Sequence, residues 1–393
     1  MSLPEVYIVA AARTPIGSFN GTLSKLKASD LGSIVIGEVL KRSNTEATDV
    51  NEVIFGQTLT AGQGQNPARQ ASLKAGLPLD VAAYGINMLC GSGLKSVVLG
   101  YQSIRSGDSS IVVCGGQESM SKAPHVMHMR DGIKMGPGTF LDTMLNDGLT
   151  DAMFNIHMGV TAENLATQYG ISRAEQDENA VRSQNTAQAA QENGYFDKEI
   201  APVEIIDRKG TIVFDKDEYI KKDVKLESIA KLKPFFVENG TVTPANASGV
   251  NDSAAAVLLM SDVEIKKRAL KPLAKIVAWS QTGCDPTVMG IGPVKAVQSV
   301  LAKAGWTKEE VDLYELNEAF SAQALAVLKC LEIDPSKVNI NGGAIALGHP
   351  IAASGTRILV TLLYALERTG GKKGIASLCI GGGMGIAMAV ERI

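Results

Sequence analysis

The stretch from residue 90 to residue 115 reads CGSGLKSVVLGYQSIRSGDSSIVVCG, which places a turn, a helix and a buried strand in immediate succession. The turn is rich in glycine, which permits sharp bends and lets a ligand approach main-chain N–H groups closely. Ser92–Ser106 is predicted as a helix, and the apolar run Ser110–Gly115 as a strand that is buried on both faces. Strands that alternate with helices elsewhere in the chain predict a parallel, doubly wound α/β structure.

The same theme continues outward in both directions along the chain. Further strands are predicted at 6–11, 53–57, 253–260, 273–279, 313–316, 375–379 and 385–390, and further helices at 31–42, 173–194, 293–304, 317–331 and 354–369. Cys90-Gly91-Ser92-Gly93 stands before one helix, and Ala353-Ser354-Gly355 stands in the same way before another. The repeated order of elements indicates a degenerate internal duplication.

One segment interrupts this pattern. Residues from about 117 to 248 are richer in methionine, charge and irregular stretches, so they are predicted as an insertion between two strands of one sheet. We therefore expect an N-terminal half made of residues 1–120 plus 249–271. An inserted loop domain would span 121–248, and a C-terminal half would span 272–393.

Composition narrows the class of protein. The chain has 393 residues, of which 45% are hydrophobic and 20% charged, which is typical of a globular protein with two or three domains. A net charge of −3 gives no general attraction to nucleic acid or membranes. The five cysteines are widely spaced without a CxxC pair, which argues against a disulfide framework or a structural zinc site. With no signal peptide or membrane span predicted, we expect a cytoplasmic protein.

Three reactive side chains stand in glycine-rich surroundings. Cys90 precedes a helix, whose N-terminus stabilises a thiolate and whose free N–H groups can hold an oxyanion, although a small buried cysteine is the commoner case. His349 lies between Gly348 and Pro350, a setting that would pre-position a general base, or it caps the following helix. Cys379 ends an apolar strand, and Asn317 follows another, where it is either functional or a helix N-cap. A nucleophilic thiol, a base and a second thiol suggest acyl transfer with an attached proton transfer.

Seven motifs together resemble the thiolase family over essentially the whole chain, and within it the short-chain members of the cytosolic type. They are Arg13-Thr14-Pro15-Ile16-Gly17, Gly64-Gln65-Asn66-Pro67-Ala68-Arg69-Gln70, Cys90-Gly91-Ser92-Gly93, Asn246-Ala247-Ser248-Gly249, Asn317-Glu318-Ala319-Phe320, Gly348-His349-Pro350 and Cys379-Ile380-Gly381. The resemblance implies the thiolase fold, which is a duplicated α/β arrangement of five α-β-α-β-α layers with an inserted loop domain.

The resemblance also implies a role for each reactive residue. Cys90 matches the nucleophile that is acylated, and His349 matches the residue that activates it and donates to an oxyanion hole. Asn317 matches the residue that holds a water in that same hole. Cys379 matches the acid/base that exchanges a proton with the attacking substrate. The N–H groups of Cys90 and Gly381 match a second oxyanion hole.

The implied reaction is the reversible condensation of two acetyl-CoA molecules to acetoacetyl-CoA and CoA, by a ping-pong route. No cofactor or metal is implied, because CoA is itself substrate and product. Lys221 stands where relatives often carry an arginine near the nucleotide. The positions that match the substrate site are Ser248, His157, Lys221, Met158, Met289, Ala319 and Phe320. The family implies a homotetramer built as a dimer of dimers, and residues 65–69 and about 120–145 are the candidate subunit contacts.

Other functions stay open at this point. A longer-chain 3-ketoacyl-CoA thiolase would share all of these motifs, and so would a relative that binds acyl-CoA without catalysis. Ketoacyl synthases and hydroxymethylglutaryl-CoA synthases share the fold but lack the second cysteine, so Cys379-Ile380-Gly381 argues against both. A nucleotide-dependent dehydrogenase is excluded because no GxGxxG follows the first strand.

Overall fold

A computed structural model describes residues 3–207 and 210–393, and its main element is a ten-stranded sheet. The strands are β1 (Val6–Arg13), β2 (Gly17–Ser18), β3 (Glu52–Gly56), β4 (Ala82–Ile86), β5 (Ile111–Ser119), β6 (His125–Val126), β7 (Leu141–Asp142), β8 (Thr150–Asp151), β9 (Ile156–His157), β10 (Val203–Asp207), β11 (Gly210–Phe214), β12 (Asn251–Ser261), β13 (Ala274–Gly283), β14 (Leu313–Leu316), β15 (Lys373–Ile380) and β16 (Met384–Arg392). The order in the large sheet is β14-β15-β16-β13-β1-β12-β5-β3-β4, with β2 paired to β12.

Helices cover both faces of this sheet. They are α1 (Ala28–Ser43), α2 (Pro67–Lys74), α3 (Ser92–Ser106), α4 (Met158–Tyr169), α5 (Arg173–Glu192), α6 (Leu226–Ile229), α7 (Asp262–Arg268), α8 (Gly292–Ala304), α9 (Ser321–Leu331), α10 (Ala344–Leu347) and α11 (Ser354–Thr369). Because the sheet is covered on both sides, every residue of β5 and β12 is buried.

The helices α3 and α11 form the central layer between the two halves of the sheet. Apolar side chains of both helices share one core with β5 and β15. The two helices meet closely at their first turns, and glycine permits this approach. A Cβ on Gly93 would lie 2.7 Å from the Ala352 carbonyl oxygen, and a Cβ on Gly355 would lie 2.5 Å from the Leu94 nitrogen. With α1 and α2 on one outer face and α8 and α9 on the other, the five predicted layers are confirmed.

The two halves repeat one strand order. In the N-terminal half it is β4-β3-β5-β12-β1, and in the C-terminal half it is β14-β15-β16-β13, with an isolated parallel bridge between Tyr314 and Val338 in the place of β4. The helices α3 and α11 each follow a single 3₁₀ turn, Leu89–Gly91 in one half and Ile351–Ala353 in the other. The duplication therefore brings the start of α3, with Cys90, against the start of α11, just after His349.

The prediction of a parallel sheet is wrong for the strands at its centre. β5 pairs with β3 in parallel but with β12 antiparallel, and Ser119 lies opposite Asp252 in that pair. The segment between β5 and β12 leaves and returns at the same end of the sheet, so β12 has to run back along β5. The β15–β16 pair is antiparallel because only a short glycine turn joins the two strands.

The predicted helix 317–331 begins four residues later, at Ser321. The Asn317 N–H continues the sheet ladder by donating to Ser377 at 3.0 Å, and Ala247 pairs with Phe320. These bonds keep residues 317–320 extended, so Asn317 is not a helix N-cap.

The segment between β5 and β12 contains α4, α5, α6 and three short two-stranded sheets, β6–β7, β8–β9 and β10–β11. The domain limits drawn from the sequence stay a prediction. Among the described residues, no helix combines the length and the apolar character needed to cross a membrane.

Candidate active site

Cys90 lies in the 3₁₀ turn that leads into α3. The turn begins with Leu89 at φ +48°, an unusual backbone conformation for a leucine. Ser92 stabilises the turn, because its hydroxyl donates to the Leu89 carbonyl at 2.7 Å and accepts from the Met88 N–H at 2.8 Å. The thiol is thereby presented at the N-terminus of a fifteen-residue helix.

His349 is held by the backbone on either side of it. Gly348 has φ +103°, and a Cβ there would lie 2.4 Å from the side chain of Asn251, so only glycine fits. The His349 N–H donates to Asn251 Oδ1 at 2.9 Å. The ring is thus directed at the nucleophile, with Nε2 3.2 Å from Cys90 Sγ, while Nδ1 lies 2.6 Å from Ser354 Oγ.

Burial determines the protonation of this pair. It raises the pKa of the Cys90 thiol to about 11, although the Gly381 and Cys90 N–H groups act in the opposite direction. Burial, with a smaller contribution from the charge of Arg357, lowers the pKa of His349 to about 4. Both shifts favour the neutral thiol and imidazole over a thiolate–imidazolium pair, so His349 is free to accept a proton when Cys90 attacks.

The low pKa of His349 predicts a specific loss of stability in acid. The unfolded chain binds this proton below about pH 6.5 and the folded chain only near pH 4, so stability falls as the pH drops through that interval. A shift of this size corresponds to about 3 kcal/mol. In His349→Gln, the free energy of unfolding should fall less between these two pH values by about that amount. Denaturant unfolding at fixed protein concentration measures it, and equal losses in both proteins would contradict the prediction.

Asn317 lies beside the histidine, at the end of β14. Its Nδ2 is 3.4 Å from His349 Nδ1, and the side chain is buried. Among the described residues Asn317 Oδ1 has no hydrogen-bond partner. A buried amide with unused hydrogen-bonding capacity fits a residue that holds a water or a substrate oxygen.

Cys379 and Gly381 enter the site from the β15–β16 turn. Cys379 is fully buried in an apolar cluster that includes Met158, Met289 and Phe320. Burial, followed by the repulsion that a second thiolate at Cys90 would exert, raises the pKa of Cys379 well above its usual value. The Gly381 N–H acts to lower the pKa of the Cys90 thiol, and Gly381 and Cys90 line the same cavity.

A cavity of about 270 Å³ joins most of the predicted residues. Those that line it are Cys90, His349, Gly381, His157, Met158, Ser248, Met289, Ala319 and Phe320. Asn317 and Cys379 lie just behind this wall, in contact with His349 and with the apolar lining respectively. Lys221 does not line this cavity. It is exposed and borders a second cavity of about 210 Å³ together with Tyr219, Pro244 and Ala245.

Several residues of the site were missed in the sequence. Phe235 and Phe236 line the cavity, and Phe236 stacks on His157 at 4.7 Å between ring centroids. The sequence held one signal for these two residues, which is a pair of adjacent aromatic side chains directly after a lysine-rich stretch. The Glu118 carboxylate accepts from the Ala352 N–H at 3.0 Å and so fastens the turn after His349, but nothing local in the sequence indicates that contact.

The chain matches two family models and resembles known proteins over its full length. Residues 6–263 match the N-terminal domain of thiolase, and residues 270–392 match its C-terminal domain. It is 58% identical to the cytosolic acetyl-CoA acetyltransferase of Rattus norvegicus, over 98% of both chains. Among solved structures, the Bacillus anthracis acetyl-CoA acetyltransferase superposes with a TM-score of 0.98 at 45% identity, and human mitochondrial 3-ketoacyl-CoA thiolase with 0.97 at 43%, each covering both chains completely.

Proposed function

The chain belongs to the thiolase family, and from that membership we propose that it works as an acetyl-CoA acetyltransferase. It condenses two molecules of acetyl-CoA to acetoacetyl-CoA and CoA, and it also catalyses the reverse reaction. The observation that supports this function most is the 3.2 Å approach of His349 Nε2 to Cys90 Sγ, beside the Gly381 N–H. A thiol, its base and a donor for an oxyanion are the groups that acyl transfer requires.

In the first half of the reaction Cys90 becomes acetylated. The thiol proton passes to His349 Nε2 while the sulfur attacks the carbonyl carbon of acetyl-CoA. The C–S bond to CoA then breaks, and the departing CoA sulfur takes the thiol proton of Cys379. Cys379 is left as a thiolate, and His349 keeps the Cys90 proton on Nε2. The Cys90 and Gly381 N–H groups hold the oxygen that becomes negative in the tetrahedral intermediate.

In the second half, Cys379 acts as the base. It removes a proton from the methyl group of the second acetyl-CoA, and His349 with the amide of Asn317 stabilises the resulting enolate oxygen. The enolate carbon attacks the acetyl carbonyl, and the bond to Cys90 Sγ breaks. The Nε2 proton of His349 returns to that sulfur as acetoacetyl-CoA is released. The high pKa of a fully buried thiol makes the Cys379 thiolate a strong base for this step.

A series of substrates tests the assignment. Acetoacetyl-CoA and 3-ketooctanoyl-CoA are each offered with free CoA, and acetyl-CoA release is measured. We expect kcat/KM to be highest for acetoacetyl-CoA, whereas a preference for the longer substrate would favour a 3-ketoacyl-CoA thiolase. If neither is cleaved while calorimetry still detects binding of CoA esters, the chain is a binding protein and the proposal fails.

Lys221 is the proposed contact for the CoA nucleotide. Its ammonium group is exposed at the second cavity, where it lies 5.1 Å from the Tyr219 ring centroid. Lys221→Ala should raise KM for acetyl-CoA about two- to fivefold without lowering kcat, because an exposed charge pair contributes about 0.5–1 kcal/mol. Lys222→Ala, which removes the adjacent exposed charge, is the matched control. Equal KM values for both variants would rule out this contact.

The segment from about residue 120 to residue 145 supports a proposed homotetramer. It exposes Met129, Ile133, Phe140 and, at 94%, Met135, and exposed apolar patches commonly mark subunit contacts. Met135→Asp should therefore shift the mass in analytical ultracentrifugation from a tetramer to a dimer. Val263→Asp, which alters an exposed apolar residue of α7, should leave the tetramer intact. A tetramer in both variants would show that this segment is not the contact.

The cytoplasm is the proposed location, by likeness to the rat relative whose name says cytosolic. Acetyl-CoA, acetoacetyl-CoA and CoA are the proposed partners, and no separate cofactor is proposed.

A further inference from the structure

The nitrogen of His349 that faces away from Cys90 has a hydrogen-bond partner of its own. Ser354 Oγ lies 2.6 Å from Nδ1 and 3.0 Å from the Pro350 carbonyl oxygen. A serine hydroxyl has a single hydrogen, so Ser354 either donates it to Nδ1 or donates it to Pro350 and accepts from an Nδ1–H group. In the proposed reaction Nε2 accepts the Cys90 proton, so the neutral ring has to carry its own proton on Nδ1, and Ser354 Oγ is then the acceptor.

We infer that Ser354 is a positioning residue that keeps the His349 proton on Nδ1 and thereby leaves the Nε2 lone pair directed at Cys90. This inference deepens the proposed function and rests on it for the role of the pair. When Cys90 attacks, the Sγ–H bond breaks, its electron pair stays on sulfur and its proton binds Nε2. The opposite tautomer would place an N–H where the acceptor is needed.

Ser354 has little freedom to do anything else. It is fully buried at the first position of α11, so its hydroxyl has no contact with solvent. Among the described residues, its oxygen bonds only to His349 and to the Pro350 carbonyl. Its acceptor capacity is thus available to the Nδ1–H group.

The duplicated half of the fold uses the equivalent serine differently. Ser92 also begins its helix after a 3₁₀ turn, but its oxygen accepts from the Met88 N–H and its hydrogen goes to the Leu89 carbonyl. Backbone groups at the start of a helix can thus provide every hydrogen-bond partner that such a serine uses. In the C-terminal half that backbone donor is replaced by the histidine ring, which distinguishes Ser354 from an ordinary helix-start residue.

Nitrogen-15 NMR of histidine-labelled protein tests the inference directly, because the chain has only four histidines and the tautomer is read from the ring shifts. His349→Gln identifies the relevant signals. We expect a protonated Nδ1 and an unprotonated Nε2 in the parent protein and in Ser96→Ala. Ser96 is the matched control, since it is a fully buried serine of α3 whose hydroxyl donates to the Gly93 carbonyl at 2.7 Å.

In Ser354→Ala we expect the Nδ1–H form to become the minor tautomer and kcat for thiolysis to fall roughly 10-fold, in proportion to the competent fraction, while KM stays the same. A parent spectrum with the proton on Nε2 would overturn the inference. So would a Ser354→Ala protein that keeps both the parent tautomer and the parent kcat. If the parent shows the Nδ1–H tautomer but no turnover, the proposed function fails while the positioning role stands.

Discussion

Replacing Cys90 by alanine should reduce acetoacetyl-CoA cleavage by roughly 10⁴-fold or more. The acetyl group then has no sulfur on which to reside, and the ping-pong route is closed. Loss of a nucleophile from a coupled catalytic set typically costs this much or more, because the remaining groups provide only binding and oxyanion stabilisation. The change removes one sulfur atom from a half-buried side chain, so the fold should be retained.

Cys330→Ala is the control for this experiment. Cys330 is also a half-buried free cysteine, but it borders a cavity formed by other residues, away from His349. Its removal should leave kcat within a factor of about two. Substantial turnover by the Cys90→Ala protein, or an equal loss in Cys330→Ala, would refute the role of Cys90.

Replacing Cys379 by alanine should separate the two halves of the reaction. Condensation should fall by about 10²- to 10⁴-fold, which is the usual contribution of a general base. The change leaves Cys90 and His349, which are 3.2 Å apart in the parent protein, and CoA can leave as a thiolate, so acetyl-CoA should still transfer its acetyl group to the protein, only more slowly. Intact mass spectrometry after mixing with acetyl-CoA detects that group, and the appearance of acetoacetyl-CoA measures condensation.

Cys114→Ala is the matched control, because Cys114 is fully buried on β5, the strand that corresponds to β15 in the duplicated half. It should preserve both steps. If Cys379→Ala lost acetylation and condensation equally, Cys379 would be needed for the first half of the reaction or for the fold. If condensation were unaffected, another base would have to be sought.

Local sequence patterns were sufficient for many of the elements. The helices α3 (Ser92–Ser106) and α11 (Ser354–Thr369) have the predicted bounds. Their ends were predictable because each is followed by a glycine, Gly107 or Gly370, in the left-handed conformation. The duplication, too, was visible in the repeated order of elements. The direction of the strands could not be predicted, because it depends on where a long insertion returns to the sheet.

In the site, too, some residues had a local signal in the sequence and others did not. Cys90, His349 and Cys379 stood out because each has glycine close by, and the structure brings all three to one cavity or its wall. Ser354 did not stand out, because its role depends on a hydrogen bond to the His349 ring, which only the folded chain brings within reach. The sequence also could not show whether burial or the helix N-terminus has the larger effect on the pKa of Cys90, because burial is a property of the packed chain.

The most direct single measurement is to locate the acetyl group on the protein. The chain is mixed with acetyl-CoA, quenched in acid and digested, and the peptides are mapped by tandem mass spectrometry. We predict acetylation of Cys90 alone among the five cysteines, and its disappearance when free CoA is added before the quench. An unmodified Cys90 in a folded, reduced protein that turns over acetoacetyl-CoA would contradict the acetyl-Cys90 route.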